Sequence, residues 1–381
     1  MTVVLRVVLD QLVSATDGDL AAASTGLARG LVAATPSGCA VTAIVPAATP
    51  EQLEELERDV AGLVDVHRTL LPRRELAAAW QLGAPSGVGG GMIHSPTLLA
   101  PLVRHERLHD HDQTVVTLWD LDAWDAPAEL PRPAVAWQRA MLKRAAKHAD
   151  AVVVPTHAMA ERVGELARVG DRVRVIAGAP EVGFARSVVD DARLRELALP
   201  DDYVVIGAST APSEGLVLGL AAAERALAAD AELHVVVIGT EEGAEPAVLD
   251  AAGAAGIPER RVHVRGALGR HDRAALIGAA RAFVAPARRC AFPWRVLEAL
   301  TLGTPVVAAA SAVHREVIVD GGVVVGDEEQ GPDAEELGAA LARAATDSEL
   351  AARLRVLAAD RSRAFSWREA AERVWQLHAD L

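Results

Sequence analysis

The chain has 381 residues, 51 % of them hydrophobic and 24 % charged, which excludes collagen-like, intrinsically disordered and disulfide-scaffold classes. Its formal net charge of −14 argues against nucleic acid as the main partner, because a phosphate backbone needs a basic footprint, and against simple electrostatic docking on an anionic membrane. Two distant cysteines, Cys39 and Cys290, make neither a disulfide framework nor a zinc pattern, which fits a reducing cytoplasm. The length accommodates two or three domains, each with its own core.

The opening MTVVLRVVLD lacks a charged segment ahead of an apolar core, so it reads as a buried strand and not as a signal peptide. No uninterrupted apolar run of about 18 residues predicts a membrane span. Short Val/Ile-rich runs then alternate with longer Ala/Leu/Arg/Glu-rich runs. Strands are predicted at Val3–Leu9, Val41–Val45, Val64–Leu70, Met92–His94, Thr114–Leu118 and Ala151–Val154. A second series follows at Val173–Ile176, Tyr203–Gly207, His234–Ile238, Val262–Val264, Ala282–Ala285, Val306–Ala309 and Val323–Val325. Helices are predicted between them, among them Leu20–Ala33, Glu51–Ala61, Ala134–Ala149, His157–Ala167, Leu216–Ala229, Asp272–Arg281 and Ala334–Ala345. This alternation argues for an α/β protein with parallel sheets and crossover helices. So many strands exceed one comfortable sheet, and two Rossmann-like halves fit better. The polar segment Glu181–Pro200 marks the boundary, giving domains at 1–185 and 186–365. A last helix at 366–381 follows other helices and is expected to pack back towards the N-terminal domain.

An ordered set of segments resembles the family 4 glycosyltransferases. In the second half these are AVVVPTHAMAERV (151–163), RVRVIAGAPEVGF (172–184), YVVIGASTAP (203–212), HVVVIG (234–239) and VHVRGALGRHDRAALIGAARAFVAPA (262–287). They continue as VLEALTLGTPVVAAASAVHREV (296–317), GGVVVGD (321–327) and FSW (365–367); MIHSPTLLAPL (92–102) and VVTLWDL (115–121) match in the first half. The resemblance implies a GT-B architecture: two Rossmann-like, doubly wound domains facing across a cleft. It also implies a retaining transferase whose GDP- or UDP-linked sugar donor sits at the carboxyl ends of the C-domain strands. Helix N-termini and basic side chains would hold the departing diphosphate, and no metal or other cofactor is expected.

Four positions that should do this work have changed. The Gly-rich turn opening the first helix reads Asp19-Leu20-Ala21. The family's His-Asp appears as Trp119-Asp120, its Arg and Lys after the first C-domain strand as Ser213 and Glu214, and its two glutamates as Cys290 and Glu298. Pro293 replaces a glycine of the same motif and removes a backbone donor. Glu214 is the most informative. A unit charge about 4 Å from a phosphate oxygen is worth roughly 4 kcal/mol at an effective dielectric of about 20, and here its sign is reversed.

The remaining donor-side residues are Glu298, as acceptor for a ribose hydroxyl, the replacement cations Arg288, Arg289 and Arg295, and Gly207 at the end of its strand. Trp119 and Asp120 lie on the acceptor side, and Trp119, Trp124 and Trp137 fill either a binding surface or the core. Spacing places no base beside Cys290, which reads as a small packed residue. The lone Asp120-x-Asp122 pair is too weak to define a metal site. His105, His109 and His111 match no zinc spacing and are assigned to a surface loop. Arg139, Lys143 and Lys147 share one helical face, either solvated or touching lipid headgroups at the inner face of a membrane. The sequence thus predicts a transferase homologue with an eroded donor site, a pseudoenzyme partnering an active transferase or a second copy of itself in polysaccharide or glycolipid assembly. The alternative is an active, divergent retaining transferase.

Overall fold

A computed structural model describes residues 2–85, 87–105 and 112–381. It divides into two compact units, residues 1–182 with 365–381 and residues 183–364. His109 and His111 lie outside the described residues.

The first unit is built on a sheet of seven parallel strands. These are β1 (Val3–Val8), β2 (Cys39–Val45), β3 (Val66–Arg68), β4 (Met92–Ser95), β5 (Gln113–Thr117), β6 (Ala151–Val154) and β7 (Val173–Val175), in the order β3-β2-β1-β4-β5-β6-β7. The second sheet has six parallel strands: β8 (Tyr203–Gly207), β9 (His234–Ile238), β10 (Val262–Arg265), β11 (Ala282–Ala285), β12 (Val306–Ala309) and β13 (Gly322–Val325), in the order β10-β9-β8-β11-β12-β13. The alternating α/β architecture predicted from the sequence is present, and the observed strands agree with the predicted runs to within two or three residues. The apolar runs are unbroken because both faces of such a sheet are covered by helices, so β6 and β11 are buried at every residue. Each sheet reverses its winding beside its first strand, between β1 and β4 and between β8 and β11. The crevice at the carboxyl ends of these strands is where such folds take ligands.

Two glycines decide how the first unit is completed. The helix Gly18–Ala33 packs against the C-terminal helix Trp367–Asp380, whose Trp367, Ala371, Val374 and Trp375 are buried. A Cβ at Gly26 would sit inside the Trp367 indole, and one at Gly30 would lie 2.5 Å from the Trp367 carbonyl oxygen. Their absence lets the two backbones approach, and Trp375 Nε1 donates to the Leu31 carbonyl at 3.1 Å. The second unit has a contiguous core in which Val204, Ile206, Val235 and Val284 of the sheet meet Leu220, Ala223 and Leu341 of the covering helices.

Candidate functional site

In the second unit the loops leaving β8, β11, β12 and β13 interlock. The loop after β8 forms a short turn at Pro212–Glu214 and then Gly215, at φ +71°, before the helix Leu216–Ala229. A Cβ on Gly215 would lie 2.6 Å from the Pro286 carbonyl oxygen, so this glycine is required by the adjoining β11 loop as well as by its φ. Ser213 and Glu214 are half-buried in the turn, and both engage other groups of the chain. Thr210 donates to Glu241 at 3.1 Å, adding a second carboxylate along the same edge. Gly207 ends β8 where a Cβ would press into the Phe283 ring, so packing on β11 accounts for the glycine.

Glu298 is 3 % exposed on the helix Trp294–Thr301. Arg273, from the helix Arg270–Ala279, donates Nε to both carboxylate oxygens at 3.0 Å and reaches Oε1 with a second nitrogen at 2.8 Å. Arg295 reaches the same oxygen at 2.5 Å. Arg273 is steadied in turn by the Leu268 carbonyl at 3.0 Å and by the Phe184 ring, whose centroid lies 5.4 Å away. A buried carboxylate is tolerable only when paired and hydrogen-bonded, and two guanidiniums achieve this with one positive charge in surplus. Arg273 lies inside the resembling segment 262–287, but nothing in the sequence singles it out as a site residue, since it is 25 residues from Glu298 and no spacing rule pairs them.

The replacement cations are not gathered at one point. Arg288 is exposed, packs on the Gly331 backbone and donates to the Glu329 carbonyl at 3.0 Å; Arg289 is exposed beside it. Cys290 overturns the expectation that it has no base. Its Sγ is 3.4 Å from His314 Nε2, because the β11 loop and the helix Ala312–Ile318 after β12 converge. Short-range spacing could not show a partner 24 residues away.

The equivalent edge of the first unit is acidic. Asp17 caps the helix Gly18–Ala33, accepting from the Asp19 and Leu20 amides at 2.9 Å, so the chain's own carboxylate occupies that helix terminus. Asp120, half-buried after β5, accepts weakly from the Asp122 amide at 3.3 Å. Its pKa is pushed up to about 6, first by burial and then by the charges of Asp122 and Asp17. Burial and the charges of Glu129, Asp125 and Asp17 also raise Asp122.

Trp119 is 6 % exposed; its indole N–H donates to the Pro96 carbonyl at 2.8 Å and its ring stands edge-on to Trp367 at 6.2 Å. Trp137 packs instead with the cluster containing Leu76 and Trp80. His105 corrects the surface-loop assignment: its side chain is 6 % exposed and pairs with Asp150 at 3.0 Å. Arg139, Lys143 and Lys147 do share the exposed face of the helix Arg132–His148. Among the described residues, no group of three or more His, Cys, Asp or Glu could hold a metal ion, and no helix is long and apolar enough to cross a membrane.

Comparison with known proteins fits this geometry. The family "Glycosyl transferases group 1" matches residues 195–360, and "Glycosyltransferase Family 4" matches residues 24–179. No curated protein sequence matches the chain. Among solved structures, a sucrose-phosphate synthase from Thermosynechococcus elongatus is 19 % identical with a TM-score of 0.69, the alignment covering 99 % of this chain and 98 % of that one. HepE from Anabaena, in complex with UDP and glucose, is 16 % identical with a TM-score of 0.70 and full coverage of both chains, 100 % and 100 %. WaaG, a glycosyltransferase involved in lipopolysaccharide biosynthesis, is 15 % identical with a TM-score of 0.66, covering 97 % and 98 %. At such identities the likeness shows the fold: two Rossmann-like sheets of the GT-B kind.

Proposed function

This chain belongs to the family 4-like glycosyltransferases of the GT-B fold, and from that premise we propose that its donor site is eroded and that it serves as a non-catalytic or regulatory partner in polysaccharide or glycolipid glycosylation. The observation that carries this reading is Glu214, half-buried in the Pro212–Glu214 turn at the β8 carboxyl end. The resemblance puts a diphosphate-binding lysine at this position. A carboxylate there repels the leaving diphosphate instead of stabilising the charge that grows on it. Three further features support the reading. Glu298 already accepts from two arginines, Arg288 is turned to the Glu329 carbonyl, and Cys290 stands where a glutamate is expected. The partner would be an active transferase or a second copy of this chain. Contact with a membrane would use the exposed face of Arg139, Lys143 and Lys147.

One observation favours the other reading, an active divergent retaining transferase. The Arg273–Glu298–Arg295 group carries a surplus positive charge on the donor-side unit. It would then assist a diphosphate in place of the missing pair, with Arg288 and Arg289 reaching from the β11 loop and Asp120 serving the acceptor side.

Calorimetric titration with UDP, GDP and their common sugar conjugates decides between them, UDP first because HepE is solved with it. The eroded reading expects no heat at millimolar ligand. Micromolar binding of one nucleotide, followed by sugar transfer at an ordinary turnover of about 1 s⁻¹ or faster, would overturn it.

A further inference from the structure

The Cys290–His314 contact has a defined polarity. Ser311 caps the helix Ala312–Ile318 and accepts from the His314 amide at 3.0 Å, which fixes where the imidazole starts. His314 Nδ1 lies 2.7 Å from the Ala309 carbonyl, which can only accept, so Nδ1 carries the hydrogen and Nε2 presents its lone pair. That lone pair faces Cys290 Sγ at 3.4 Å. His314 is 1 % exposed, and burial lowers its pKa below the ordinary imidazole value, keeping Nε2 in the proton-accepting form at neutral pH. Cys290 itself is half-buried, so the sulfur remains within reach of a small reagent. Nucleophile, base and a third group orienting the base are the parts of an activated thiol.

We propose that Cys290 and His314 form a peroxide-reactive modification site on the donor-side unit, with hydrogen peroxide as the reagent and a sulfenic acid at Cys290 as the product. The thiol proton passes to His314 Nε2 while sulfur attacks one peroxide oxygen. The O–O bond breaks, and the departing hydroxide takes the proton from the imidazole to leave as water. Sulfur is oxidised by two electrons and the peroxide is reduced by two. The site stands whether or not the chain transfers sugar. In the β11 loop, next to Arg288 and Arg289 in sequence, the added oxygen would alter the same edge that a donor would approach.

Cys39, half-buried at the start of β2 in the other unit, is the internal reference. The native full-length protein is treated with hydrogen peroxide in the presence of dimedone, and adducts at both cysteines are quantified by peptide mass spectrometry. General-base assistance predicts labelling of Cys290 faster than Cys39 by about tenfold or more. His314→Gln is expected to bring Cys290 down to the Cys39 rate. Because that variant removes a buried group, the wild-type protein is also labelled in urea, where the pair is dissolved and the ratio should collapse to about one. Equal labelling in the native wild type, or a preference for Cys290 that persists unchanged in urea, would overturn the assignment.

Discussion

The two sheets share a strand order, yet one carboxylate at the carboxyl ends of each has opposite surroundings. In the second unit one carboxylate, Glu298, is withdrawn from water and clamped by Arg273 and Arg295. In the first, Asp120 is half-withdrawn with other carboxylates for neighbours, so it holds its proton up to about pH 6. The units also differ in how they are closed. The second is contiguous in sequence, whereas the first borrows a helix from the far end of the chain and seats it on two glycines. One backbone topology therefore carries two electrostatic surfaces, and the side chains alone set the difference.

The largest effect is expected at the clamp. Glu298→Ala strands two guanidiniums whose side chains are 14 % and 25 % exposed, and should cost about 3 kcal/mol of stability. Arg295→Ala leaves Glu298 bonded to Arg273 and should cost only about 1 kcal/mol. Urea unfolding of the two variants checks this, and equal midpoints would break the idea that the carboxylate holds the group together. Next comes the glycine seat. Gly26→Ala forces the Trp367 indole aside and should cost about 2 kcal/mol, with faster proteolytic release of the C-terminal helix. Gly164→Ala, in the helix His157–Leu166 with nothing within 4 Å of its Cβ, should instead stabilise by about 0.5 kcal/mol. If both substitutions destabilise alike, close approach is not what the Gly26 position demands.

The smallest effect separates the acidic edge from the clamp by its pH dependence. Asp120 binds its proton more tightly folded than unfolded, so its ionisation costs stability above about pH 6, and that cost fades as the pH falls towards 4. Asp120→Asn keeps the acceptor for the Asp122 amide and removes the charge. It should therefore stabilise by about 1 kcal/mol near pH 7.5, less than the full shift because solvent screens a half-buried group, and by nothing near pH 4. A pH-independent difference between variant and wild type in thermal unfolding would remove the electrostatic account of this edge.

Much of this molecule is legible in its sequence because parallel strands covered on both faces must be continuous apolar runs, and the crossovers between them must be helices. Val152, Val153, Val236 and Val284 declare their buried strands without any tertiary information. The site is another matter. Glu298 and Cys290 are candidate positions in the sequence, but their partners Arg273 and His314 come from other βα units, and no spacing encodes a contact that exists only once separate crossovers pack side by side. The same reason hides the role of Gly26, which looks like an ordinary helix residue until Trp367 arrives from 341 positions away. The amino-acid order by itself determines the alternation and the two sheets. Tertiary packing decides which carboxylate is clamped, which is left protonatable and which thiol acquires a base, because those depend on distances between segments that the chain holds far apart.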